Sequence, residues 1–213
     1  PGAQLARRHM KNYLAQVTGV DDQFGRILDV LRLDGLDEDT IVVFTSDHGN
    51  CLGSHEEVSK NVYYEESMRI PLLIRWTGHI APRKDDLLIS TPDICPTLLE
   101  LMGMDEQIPG EVEGQSRASI LLDGVGERPT SQLYIWVPYG NPASGRRGVR
   151  THRYTLSIEK DADGTTTTVL HDNLEDPYQL VNIAEQRPDV VRELIQTELN
   201  PWLEKTRDPW SRV

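Results

Sequence analysis

The feature that most limits this chain is a short run, Ile41-Val42-Val43-Phe44-Thr45, that stops abruptly at Ser46-Asp47-His48-Gly49-Asn50. β-Branched and aromatic residues without polar alternation predict a strand buried on both faces, as in a parallel α/β sheet. In open α/β sheets, ligand sites lie just beyond the carboxyl ends of the strands. Asp47 and His48 therefore stand where chemistry is expected, and both can bind a metal, one through oxygen and one through a ring nitrogen. The three residues Asp-His-Gly are equally compatible with a plain turn in which the Asp caps a neighbouring amide.

Around this strand the periodicity is helical on one side and mixed on the other. Tyr13, Val17, Val20, Phe24, Ile27, Leu28 and Leu31 form one stripe and predict a helix over residues 9–33, ended by Gly35 and the polar residues 37–40. A polar loop runs to Lys60, a short helix is predicted around residues 64–68, and Leu72 to Trp76 is a second unbroken strand, expected to lie parallel to the first. Leu87 to Ser90 reads as a further short strand. Asp93 is placed to cap a helix through Met102, which Gly103 stops. Residues 104–130, rich in Gly, Pro and acid, read as a loop or linker. Beyond it the period changes to β: Leu133 to Val137, Val149 to Ile158 and Thr165 to Leu170, with Asp161-Ala162-Asp163-Gly164 as a hairpin turn. A last helix over residues 188–204 carries Val191, Leu194, Ile195, Leu199 and Trp202. The predicted fold class is α/β, with a sheet domain over 1–103, a linker over 104–130 and a small antiparallel-sheet-and-helix subdomain over 131–213.

Charge narrows the function classes. With 22 Lys plus Arg against 34 Asp plus Glu, the formal charge is −12, which argues against a nucleic-acid or anionic-membrane surface. The basic cluster Arg146, Arg147, Arg150 and Arg153 is short and local. No apolar run approaches the roughly 20 residues that span a bilayer. Two cysteines, Cys51 and Cys95, do not make a disulfide framework. The opening residues Pro1-Gly2-Ala3-Gln4, with neither an initiating Met nor an apolar leader, read as the middle of a longer chain.

The context of Asp47 and His48 then matters. The run Thr40 to Gly49, followed by Leu52-Gly53-Ser54-His55, Lys60, Tyr64-Glu65-Glu66-Ser67 and Arg69-Ile70-Pro71-Leu72-Leu73-Ile74, closely resembles the sulfatases of the alkaline phosphatase superfamily. Tyr13 to Gly25 looks like that family's preceding helix and Asp93 to Gly103 like its following one. Asn173 to Asn182 resembles the segment before its last helix. The likeness runs in order along almost the whole chain. It implies that Asp47 and His48 are two ligands of a divalent cation, usually calcium, that Lys60 contacts the sulfate, and that the substrate is a sulfate ester. A sulfuryl group leaving as an oxyanion needs fixed positive charge around its oxygens, which a cation and a lysine provide.

The departures from the family pattern are equally specific. Its nucleophile is a Cys or Ser in a Cys/Ser-x-Pro/Ala-x-Arg motif, oxidised to formylglycine. Cys51 precedes Leu52-Gly53-Ser54-His55 and Cys95 precedes Pro96-Thr97-Leu98-Leu99, so neither fits, and Ser116-Arg117-Ala118-Ser119-Ile120 lacks the Arg. The paired acidic metal ligands and the upstream Lys and His are also absent. Asp21 and Asp22, adjacent on a helix and pointing about 100° apart, suit a solvated face rather than a ligand pair. The resemblance thus implies the C-terminal portion of a sulfatase, whose partner is a missing N-terminal half and which is expected to be inactive alone, to bind its cation weakly, and to leave apolar helix faces open to self-association.

Other candidates have structural alternatives. His55 is expected beside the site in a hydrogen-bonding role rather than on the metal. Glu65 and Glu66 fit helix-cap or salt-bridge roles better than general bases. Arg146, Arg147 and His152 either reach an anionic substrate or form a solvated charged edge. Two further readings of function stay open: a phosphodiesterase or phosphonate monoester hydrolase of the same superfamily, and a non-catalytic truncated module.

Overall fold

A computed structural model describes residues 3–210. The chain divides into two units, residues 1–83 and 84–213, each built around its own elements.

The first unit opens with α1 (Ala3–Leu33), as the apolar stripe predicts. The stripe stays largely uncovered. Phe24 packs on Phe44 with ring centroids 4.9 Å apart, but Val17, Val20, Ile27 and Val30 are exposed, as are Asp21 and Asp22. Strands β1 (Val42–Thr45) and β2 (Leu72–Arg75) follow, with the four-residue α2 (Glu65–Met68) between them.

Here the structure overturns one expectation. β1 and β2 pair antiparallel, Val42 opposite Arg75 and Thr45 opposite Leu72, not parallel. The reason lies in the connection. The Gly49 amide donates to the Ser67 carbonyl at 2.8 Å, so the chain re-enters the sheet beside the end of β1 and has to run back along it. A parallel partner would need a crossover returning to the start of β1. At the other end, the Arg75 guanidinium pairs with Asp37 and holds its carboxyl below the usual carboxylate range. Thr77 Oγ1 donates to Asp37 at 2.9 Å and Trp76 Nε1 to the Glu38 carbonyl at 3.0 Å.

The second unit contains α3 (Thr91–Leu101), α4 (Ala118–Asp123), a four-stranded sheet and a C-terminal helical stretch. Asp93 does not cap α3 as predicted. Ser90 occupies the N-cap, and Asp93, three positions on, accepts its backbone N–H at 3.2 Å, a capping box. Residues 87–90 are not a strand either. The Leu88 carbonyl accepts from the Gln132 side chain at 2.7 Å instead of from a strand neighbour. The stretch read as loop carries α4, whose Ile120 is buried. Asp93 and Thr97 of α3 draw in the amides of Gln115 and Arg117 at 2.8 and 2.9 Å.

Strands β3 (Ser131–Trp136), β4 (Gly145–Thr151), β5 (Tyr154–Lys160) and β6 (Thr166–Asp172) form an antiparallel meander in sequence order. The predicted turn between the last two is present, with Gly164 at φ 89° and its amide on the Asp161 carbonyl at 3.0 Å. Val149, Leu156, Ile158 and Leu170 bury one face against Val190, Leu194, Leu199, Leu203 and Trp210. Each fully buried aliphatic side chain there contributes about 1.5–3 kcal/mol. The last helix runs as α5 (Pro188–Leu194), a π-helical stretch Ile195–Leu199 and α6 (Asn200–Lys205). Pro201 explains the interruption: it has no N–H to donate and its ring crowds the preceding turn.

Candidate functional site

The strand end predicted to carry chemistry gathers three of the expected side chains. Leaving β1, the chain turns at Ser46, whose hydroxyl donates to the His48 carbonyl at 3.0 Å. The Asp47 Oδ1 accepts the His48 amide at 2.9 Å, which leaves Oδ2 outward on a side chain that is 83% exposed. His48 Nδ1 lies 2.7 Å from the Gly49 carbonyl oxygen. A carbonyl can only accept, so Nδ1 carries a proton, and in the neutral ring Nε2 then presents its lone pair. That lone pair faces Asp47 Oδ2 at 3.3 Å and receives Lys60 Nζ in direct contact.

Gly49 is required by space rather than by φ. A Cβ there would overlap the Glu66 carbonyl oxygen and lie 2.9 Å from the Glu66 carbonyl carbon and 3.3 Å from Ser67 Cα. This close approach sets α2 against the turn. Lys60 comes back to His48 because the loop between them closes on itself, the Cys51 amide donating to the Ser59 carbonyl at 2.8 Å. The Cys51 side chain is buried, and burial with Glu66 and Glu57 nearby pushes its thiol up. That is the environment of an inert thiol.

His55 does not join Asp47 and His48 directly. Its ring stacks on Tyr64 with centroids 3.6 Å apart and planes 3° off parallel, and its Nε2 lies 3.3 Å from each Glu66 carboxylate oxygen. Glu65 pairs with Arg69 one helical turn on, at 3.5 Å. Both glutamates thus take the structural roles weighed for them. Neither the His55–Tyr64–Glu66 cluster nor the tightness around Gly49 was foreseen, since nothing in the spacing marks either one.

In the second unit, neither sequence reading of the arginines holds for Arg147. It is 1% exposed, a core residue rather than a substrate contact or a solvated edge. Its Nε donates to Asp208 at 2.7 Å, and its other nitrogens donate to the carbonyls of Trp136, Arg146 and Pro142. Arg146 pairs with Glu159 at 3.0 Å over the Trp136 ring, and His152 sits exposed in the β4–β5 turn. A cleft of about 300 Å³ lies between Arg117, Glu127, Arg128, Glu198, Trp202 and Lys205. Arg117 and Arg128 are already paired, with Asp93 and with Asp85 and Asp86, and Lys205 lies over the Trp202 ring.

The donor chemistry of the β1 turn fits a divalent cation. Two acceptor atoms, a carboxylate oxygen and an imidazole nitrogen, lie 3.3 Å apart on a largely exposed Asp47 and a partly exposed His48, with the Lys60 ammonium on the nitrogen. The fit is partial: no group of three or more His, Cys, Asp or Glu gathers for a metal among the described residues, whereas calcium takes six to eight ligands.

Comparison with known proteins places the chain. A family model described as Sulfatase matches residues 2–104. An endo-4-O-sulfatase of Bacteroides thetaiotaomicron is 41% identical over 94% of this chain and 42% of its own length. A solved structure from the same organism, reported in work on the metabolism of multiple glycosaminoglycans, is 41% identical with a TM-score of 0.88, over 93% of this chain and 44% of that one. The phosphonate monoester hydrolase of Agrobacterium radiobacter is 25% identical with a TM-score of 0.75, over 89% and 40%. The chain spans less than half the length of these relatives.

Proposed function

The chain belongs to the sulfatase family, and from that premise we propose that it supplies part of the active site of a metal-dependent sulfuric-ester hydrolase. The observation that supports this reading is the facing pair of Asp47 Oδ2 and His48 Nε2, 3.3 Å apart, with Lys60 Nζ beside them. Asp47 and His48 would hold a divalent cation, calcium by family resemblance, which when bound draws negative charge from the ester oxygens. Lys60 adds a positive charge next to the pair. Its ammonium, which here rests on His48 Nε2, would move off that lone pair when the cation binds and be free to meet negative charge developing on the sulfuryl oxygens. The Gly49 carbonyl holds His48 in the tautomer that keeps Nε2 a donor of electrons. The name of the endo-4-O-sulfatase relative supports an O-sulfate ester as the substrate class.

No Cys or Ser in this chain has the motif of the family nucleophile. The covalent step therefore belongs to residues supplied by an N-terminal half, together with most of the cation's ligands. By itself the chain is inactive and binds its cation weakly. A second reading, phosphonate monoester hydrolysis, is favoured by the Agrobacterium structure and differs in the group attacked.

The test is hydrolysis of a chromogenic aryl sulfate and of an aryl phosphonate monoester in the presence of calcium. The chain is assayed alone and with the N-terminal segment of the endo-4-O-sulfatase relative added as a second chain. The reading predicts no turnover alone, sulfate turnover when complemented, and a loss of about 10²-fold or more on Asp47→Ala or Lys60→Ala. Turnover by the chain alone that Asp47→Ala abolishes would show the nucleophile argument wrong. Phosphonate turnover exceeding sulfate turnover would favour the second reading.

A further inference from the structure

We infer that His55 is a positioning residue: anchored on Tyr64 and Glu66, it holds closed the loop that delivers Lys60 to His48. The inference rests on the reading of Lys60 and His48 as one site and adds the element that keeps them together.

The loop from Gly49 to Asn61 is conformationally costly. Leu52, His55, Glu56 and Asn61 all have left-handed backbone, with φ of 52°, 57°, 62° and 71°, and only Gly53 among the left-handed positions is a glycine. Residues with a Cβ disfavour this region, and Asn tolerates it best. Backbone hydrogen bonds inside the loop, Cys51 to Ser59 and Gly53 to Glu57, both 2.8 Å, exist only while that backbone is held. The exposed side chains of Ser54, Glu56, Val58 and Ser59 do not hold it, and the buried Cys51 and the Leu52 amide bond to Asn50 Oδ1 at 3.0 Å secure only its first residues.

His55 is different. Its side chain is 6% exposed, pressed flat on Tyr64 and bonded to Glu66. Glu66 in turn touches both ends of the arrangement: its carboxylate meets His55 at the loop tip, while its carbonyl abuts Gly49, the neighbour of His48. Fixing the tip against α2 closes the Cys51–Ser59 bond, and Lys60 is the residue that follows Ser59. His55 thus acts on the site without touching it.

The test uses the isotope-labelled chain and two NMR readouts that need no substrate: the NOE between the Lys60 ε-methylene and His48 Hε1, and hydrogen exchange of the Cys51 amide. His55→Ala and Tyr64→Leu are expected to abolish the NOE and speed Cys51 exchange about tenfold or more, with the β1–β2 amides unchanged. Tyr64→Phe keeps the flat stacking surface and should leave both readouts as in the parent. Adding Glu56→Gly to His55→Ala should slow the exchange again, because it removes one strained residue from the open-to-closed balance. Should His55→Ala lose the β1–β2 amide pattern, Tyr64→Leu decides the matter. An unchanged NOE and unchanged Cys51 exchange in the folded variants would overturn the inference. Failure of the functional reading looks different: Lys60→Ala would retain turnover in the complemented assay while the loop behaves as described.

Discussion

Replacing Gly49 by Ala tests how the strand end is assembled. The added Cβ would overlap the Glu66 carbonyl oxygen and crowd the Glu66 carbonyl carbon at 2.9 Å and Ser67 Cα at 3.3 Å. All three are backbone atoms, so no side chain can swing aside. Forcing a methyl into such a contact costs about 1–3 kcal/mol. Moving α2 away also breaks the 2.8 Å bond from the Gly49 amide to Ser67, worth about 1 kcal/mol more. The expected loss is therefore about 2–4 kcal/mol from the first unit. Urea unfolding followed by fluorine NMR of 5-fluorotryptophan reads this unit through Trp76, apart from Trp136, Trp202 and Trp210 in the other. The Trp76 transition should move to lower urea while the other three hold. A shift under about 0.5 kcal/mol, the range of ordinary surface substitutions, would refute the argument that backbone closeness dictates the glycine.

Three further outcomes follow from the structure. Gly19→Ala, in the interior of α1 with nothing within 4 Å of the new Cβ, should stabilise by about 0.5–1 kcal/mol in the same urea assay. Asp208→Ala leaves the buried Arg147 guanidinium without its carboxylate, although three carbonyls still accept from it. The second unit should lose about 3–5 kcal/mol, toward the lower end, with the Trp210 resonance shifting earliest. Asp172, held by Arg153 at 2.7 Å and by the Leu174 and Glu175 amides, has its carboxyl lowered. Its contribution is present above the ordinary carboxylate range and is lost as pH falls below it through the folded value. Acid titration of the second unit should show this dependence, and Asp172→Asn should flatten it.

What could be read from the sequence was set by period and punctuation. The stripe from Tyr13 to Leu31, the stop at Gly103, the Asp161–Gly164 turn and the apolar face after Pro188 all appear as elements, because each is decided by neighbours within a few residues. The pairing direction of β1 and β2 was misread. An unbroken apolar run tells that a strand is wanted but not which way its partner runs, and that is fixed by Gly49 meeting Ser67 eighteen residues on. Arg147 looked like a surface cation because nothing local reveals Asp208, sixty-one residues away. At the site, strand-end position singled out Asp47 and His48 and the family resemblance added Lys60; the structure sets His48 beside each of the other two. The anchoring of His55 on Tyr64 and Glu66 was hidden, since it depends on four left-handed residues whose types do not announce that backbone.

The measurement that bears most directly on the central claim is a titration of manganese, a paramagnetic stand-in for the divalent cation, into the isotope-labelled chain. With only two protein donors, binding is expected in the millimolar range or weaker. Broadening should begin at Asp47, His48 and Lys60, and Asp47→Ala should remove it there. Broadening that starts at other carboxylates and leaves these three residues sharp would contradict the assignment of Asp47 and His48 as a cation site.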